Sequence, residues 1–167
     1  MARSEWVCDD KIKLILALLT RPNELAVECS LRYGLRIGDV LALKTEAVKK
    51  GRFSIREEKT AKRRTVTLST SFQQRLLSIS GRVYVFEHRL SPSEHRTRQA
   101  VYADVKRAAK ALRIVANFTP HSARKSYAVH QYISSHYNIK KVQSLLNHSD
   151  EAVTMVYALA DKLTKLK

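Results

Sequence analysis

The run Thr-Pro-His-Ser-Ala-Arg at residues 119–124 constrains this chain more than any other stretch, because it fixes a helix start and the chemistry carried on it. Thr119 is a preferred N-cap residue, and Pro120 suits the first helical position, where its missing N–H costs no hydrogen bond. His121 and Arg124 then fall in the opening turn, three residues apart and on one face. Main-chain N–H groups at a helix start attract anions, and two donor side chains added there make a phosphate-sized pocket. The helix should run to about Tyr132. Apolar spacing predicts two more helices, over Ile139 to Leu146 and Asp150 to Ala160. His148 then lies just past a helix end, and Tyr157 lies on the last helix. A basic pocket, a second histidine and a tyrosine suit covalent chemistry on a phosphodiester.

The upstream chain reads as mostly helical with a minor sheet. Ile12, Ile15, Leu16 and Leu19 recur at helical spacing over Asp9 to Thr20, and Arg21-Pro22-Asn23 should break that helix. A second helix is expected over Glu24 to Tyr33, stopped by Gly34. A short third one follows, with Arg36 at its start, Asp39 in its first turn, and Ile37, Val40 and Leu41 turned inward. Phe53 and Ile55, then Val66 and Leu68, alternate with polar residues around a charged hairpin. Ser69 or Thr70 should cap a helix reaching about Ser80. Val83 to Phe86 is a short apolar run, strand or core loop. His88 to Arg98 is polar and basic and reads as a mobile surface loop. Ala100 to Ile114 is helical. The expected class is α+β: mostly α-helical, with a small antiparallel three-stranded sheet.

Composition narrows the partner. The 167 residues suit one domain with a proper core, and 31 Lys and Arg against 15 Asp and Glu give a net charge of +16. That imbalance, with a pI near 10.2, points to a polyanion, most often nucleic acid; a ribosomal-type basic protein is the plainer reading. Cys8 and Cys29 form no metal-binding pair and no disulfide framework, which fits a reducing compartment. The apolar run Ile12 to Leu19 is too short to span a bilayer, and Glu5, Asp9 and Asp10 argue against a signal peptide.

In-line attack on a phosphodiester builds negative charge on the nonbridging oxygens, which fixed cations and donors must meet. Arginine suits this, because its planar fork binds two oxygens and stays charged. The chain offers Arg36 and Arg124, each at a helix start, with His121 and His148 as further donors. Lys59 on the hairpin is placed to protonate a leaving oxygen, with Lys62 as the alternative. Tyr157 would be the nucleophile once positive neighbours ease its deprotonation. A phosphotyrosine link conserves the energy of the broken bond, so no ATP is needed, and the sequence holds no GxxxxGK[ST] loop. No carboxylate cluster suggests a catalytic metal. No cofactor is therefore expected.

These segments resemble, in order and spacing, the catalytic domain of the tyrosine recombinase (phage integrase) family. The matching segments are Arg36 within Tyr-Gly-Leu-Arg-Ile-Gly-Asp-Val, Lys59-Thr in the hairpin, His121-Ser-Ala-Arg124, Leu-Leu-Asn-His148 and Thr-Met-Val-Tyr157. The match runs over nearly the whole chain from about residue 9. The resemblance implies that Arg36 and Arg124 clamp the scissile phosphate. His121 and His148 would assist binding and proton transfer, and Lys59 would be the general acid. Tyr157 would form a 3′-phosphotyrosyl intermediate and free a 5′-hydroxyl. Asp39 would stand where the family has a carboxylate that braces the first arginine. Three positions depart from the usual pattern. Ala123 replaces Leu, Lys125 replaces His and Asn147 replaces Gly, and none removes a catalytic group.

The family also carries an N-terminal helical domain that closes around DNA. Residues 1–167 leave no room for it, so the chain is expected to be the catalytic domain alone, cut from a longer protein. Its implied partner is double-stranded DNA, with a homotetramer on DNA, a monomer when free, and a cytoplasmic location. Lys62, Arg63, Arg64, Arg96 and Arg98 are expected to meet phosphates, which position the protein without specifying bases. Two other functions suit the same residues: a type IB topoisomerase-like relaxer and a non-catalytic basic DNA-binding module.

Overall fold

The computed structural model describes residues 4–56 and 63–146. Two N-terminal helices, α1 (Asp9–Leu18) and α2 (Arg21–Tyr33), lead into α3 (Ile37–Leu41) and α4 (Thr45–Lys49). An antiparallel pair follows, β1 (Arg52–Arg56) and β2 (Arg63–Thr67), then α5 (Thr70–Leu77). After a long connection come α6 (Arg98–Ala111), α7 (Pro120–Ser134) and α8 (Ile139–Leu146).

One core joins most of these elements. Ile15 of α1, Leu25 of α2, Leu41 of α3, Phe72 and Leu76 of α5, Val105 of α6, and Phe86 and Phe118 from connections are all essentially inaccessible to solvent. Burial of each such side chain is worth about 1.5–3 kcal/mol relative to exposure. A smaller cluster, Tyr127, Ala128, Val142 and Leu146, holds α8 against α7. Helix α7 packs on α2, and its small residues Ser122, Ala123 and Ser126 are buried. No helix among the described residues is long and apolar enough to cross a membrane.

Several boundaries differ from the sequence pattern. Arg21-Pro22-Asn23 does not separate two helices but opens α2, because a proline in the first turn forfeits no intrahelical hydrogen bond. Helix α6 begins at Arg98, since Thr97 is its N-cap and accepts from Ala100 N at 3.2 Å. Helix α4 is too short to show a period.

The sheet has two strands among the described residues, not three. Residues 83–86 form a single bridge, Lys44 with Tyr84, flanked by Thr45 N to Val83 O at 3.1 Å and Val85 N to Leu43 O at 3.0 Å. The run then turns inward, so Val85 and Phe86 serve as core plugs and the ladder cannot continue. The connection expected to be a mobile loop is tied back by Arg96 N to Phe86 O, at 2.6 Å, and His88 N to Glu94 O, at 2.9 Å.

Candidate active site

Gly34 terminates α2 in the left-handed region, at φ +62°, with its N–H donating to Ser30 O at 2.9 Å. A side chain there would meet the Tyr127 ring, since an added Cβ would lie 2.3 Å from Tyr127 Cδ1. Only glycine fits this turn. Two residues on, Arg36 is the N-cap of α3 in extended backbone and is half-buried. Asp39 lies in the first turn of α3 and is buried.

Arg124 is the largest fully buried side chain among the described residues, at 2% exposure. Its Nη1 donates to Gly34 O at 2.8 Å and its Nη2 to Leu146 O at 2.9 Å. One guanidinium thus joins the turn before Arg36 to the last residue of α8, which immediately precedes the Asn147-His148 pair. Thr119 is the N-cap of α7, and its N–H donates to Ser122 Oγ at 3.0 Å. That fixed helix start carries His121, which is half-buried.

Two clefts open beside this turn. The larger, about 620 Å³, is lined by Ile37, Arg98, Tyr102, Asn117, Thr119 and His121 among others. The smaller, about 450 Å³, includes Asp39, Lys44, Ser54, Arg56, His95 and Arg98 in its wall. Arg98 lines both. The Lys44 ammonium sits 3.5 Å from the Tyr84 ring centroid, and His95 meets the same ring in a T-shaped contact at 5.3 Å. The start of α3, the start of α6 and the start of α7 therefore converge on one basic surface.

The arginines expected at phosphates separate into two kinds. Arg63 and Arg98 are exposed. Arg64 is half-buried, with Nη1 donating to Gly34 O at 3.3 Å and Nη2 to Tyr127 Oη at 3.4 Å. Arg96 is also half-buried, and among the described residues its Nε has no hydrogen-bond partner. The inward position of Arg64 was visible in the alternation, since it shares a phase with Val66 and Leu68. Tyr127 is buried at 8% exposure against Gly34, so its phenol is a packing group. Lys59, Lys62, His148 and Tyr157 lie outside the described residues, as does the helix expected over Asp150 to Ala160. Among the described residues no group of His, Cys, Asp or Glu is arranged to hold a metal ion.

The profile of the phage integrase family matches residues 5–163. The chain belongs to the phage integrase family. The integrase of Escherichia phage P2 is 28% identical over 153 residues, 92% of this chain but 42% of that protein. This phage integrase family chain thus spans less than half the length of that curated relative. Among solved structures, a lambda integrase tetramer bound to a Holliday junction is 19% identical and covers 93% of this chain and 48% of its own, with a TM-score of 0.73. A XerA recombinase is 19% identical with a TM-score of 0.68, covering 99% of this chain and 66% of its own. The catalytic domain of bacteriophage HP1 integrase is 22% identical, with 93% and 88% covered and a TM-score of 0.64. These structures share the fold.

Proposed function

We propose that this chain is the catalytic domain of a site-specific recombinase that breaks and rejoins duplex DNA through a covalent 3′-phosphotyrosyl intermediate. The observation that carries the reading is the buried Arg124 guanidinium, fastened between Gly34 and Leu146. It ties the Arg36 turn to the end of α8 and leaves His121 on the adjoining cleft. Arg36 and Arg124 hold the nonbridging oxygens of the scissile phosphate, assisted by His121 and His148. Asp39, in the first turn of α3, braces Arg36. Tyr157 loses its phenol proton to solvent, and its Oη attacks phosphorus and forms the new P–O bond. The bond to the 5′ oxygen breaks, and that oxygen takes a proton from Lys59 and leaves as a 5′-hydroxyl. Attack by a 5′-hydroxyl of another strand reverses the step, with no ATP consumed.

The substrate is double-stranded DNA, in keeping with the net charge of +16 and the exposed Arg63 and Arg98. The lambda integrase structures, one a dimer bound to a core site and one a tetramer on a Holliday junction, favour a homo-oligomer on DNA. The protein works with the DNA, in the cytoplasm. A nicked suicide duplex carrying the recombination site tests this. Wild type should form a protein–DNA adduct that survives denaturing electrophoresis, and should do so in excess EDTA. Tyr157→Phe should form none; an adduct in that variant overturns the assignment of Tyr157.

A further inference from the structure

The first described residues form a strap across the base of α7. Val7 is buried, Glu5 N donates to Asn117 O at 3.0 Å, and Lys125 Nζ donates to Ser4 O at 2.6 Å. The Asn117 side chain accepts in turn from Lys106 Nζ of α6. Asn117 stands two residues before the N-cap Thr119, and Lys125 follows Arg124. The strap therefore grips both flanks of the turn that carries His121, and Ser4 shares the larger cleft with His121. Successive helical residues are rotated by about 100°, so the Lys125 stem leaves α7 in a different direction from the Arg124 guanidinium. It reaches a main-chain carbonyl in a charge-assisted bond.

We infer that Lys125 is a positioning residue: by fastening the strap 4–8 to α7 it sets the α7 opening turn for strand cleavage, rather than adding affinity for DNA. This rests on the recombinase reading above. Tension or release of the strap moves both flanks of the His121 turn together, because Asn117 and Lys125 are held by adjacent residues, Glu5 and Ser4.

The test compares full-length Lys125→Met, Lys125→Arg, Glu5→Pro and Glu5→Ala in single-turnover cleavage of the suicide duplex and in DNA binding over a salt series. Lys125→Met should cleave about tenfold more slowly, as expected for loss of a hydrogen bond to a charged group, with affinity and salt slope unchanged. Lys125→Arg should recover the rate. Glu5→Pro, which deletes the N–H donated to Asn117, should slow cleavage, and Glu5→Ala, which keeps it, should not. Weaker binding of Lys125→Met with a salt slope reduced by about one would place Lys125 on a phosphate and overturn the inference. Equal cleavage by Lys125→Met and wild type would overturn it too. If wild type forms no adduct, the recombinase reading falls. The strap is then judged by amide exchange at Glu5 and the His121 imidazole resonance in Lys125→Met: both should change, and no change in either refutes it.

Discussion

Replacement of Gly34 by alanine tests the turn on which the site is built. Two costs add. A non-glycine residue in the left-handed region loses roughly 1–2 kcal/mol. The new Cβ would also lie 2.3 Å from Tyr127 Cδ1 and 2.5 Å from Cε1, far inside contact distance. The ring is buried and its hydroxyl is engaged by Arg64, so it can retreat only by shifting α7 or α2. Overpacking of this kind costs about 1–3 kcal/mol. The sum, about 2–5 kcal/mol, corresponds to a fall in Tm of about 5–15 °C for a domain this size. Urea unfolding of Gly34→Ala, Tyr127→Ala and the double variant separates the parts. With the ring removed, Gly34→Ala should retain only the backbone cost, leaving a coupling of about 1–3 kcal/mol. An equal cost in both backgrounds would refute the steric reasoning, and a total below about 0.5 kcal/mol, within the range of a neutral surface change, would refute the turn assignment.

Arg124→Met should leave the Gly34 and Leu146 carbonyls short of a donor and destabilise the fold by about 2–5 kcal/mol; a raised Tm would mean that the guanidinium is held at the expense of stability and is no staple. Partial burial raises the Asp104 pKa, but hydrogen bonds from Asn23, Thr20 and Arg107 more than offset this and hold it at about 2, below the usual 3.8. A depressed carboxylate stabilises above its unfolded pKa, so that contribution should fade as pH falls from about 3.8 to 2. Asp104→Asn should flatten this limb in acid unfolding followed by circular dichroism, and an unchanged slope would contradict the assignment. Burial, with the neighbouring Glu28 charge, pushes the Cys29 thiol up to about 12, while Cys8 is exposed. A disulfide-exchange reagent at neutral pH should therefore titrate one thiol in the native protein and the second only after unfolding.

The helices were legible where the pattern was long: the apolar period of α2, the stop at Gly34 and the start of α7 at Thr119-Pro120 all stand in the fold. Period failed for α4, which has five residues, and misled at Arg21-Pro22, where a breaker in mid-helix is an asset in a first turn. The third strand was lost because hydrophobicity alone does not separate a ladder from a plug: Val85 and Phe86 are apolar in order to fill the core. At the site, the places of Arg36 at the start of α3 and of His121 and Arg124 near the start of α7 were legible from residue type and pattern. Their support was not. Gly34 and Arg124 are 90 residues apart, and no local pattern announces that a main-chain carbonyl will seat a guanidinium. Charge marks Arg64 as a surface cation, whereas its phase with Val66 and Leu68 turns it inward.

The Arg124 link also sets an order of events during synthesis. Gly34 emerges 90 residues before the arginine that clasps it, and Leu146 emerges 22 residues after that arginine. A growing chain therefore displays the cationic surface of β2 and α6 well before its guanidinium is seated at both ends. On the recombinase reading proposed above, attraction to DNA would precede competence to cut it, and a chain released before α8 would carry the first without the second. Burial of the arginine between distant carbonyls works as a safety interlock, in which completion of the domain is the condition for arming it.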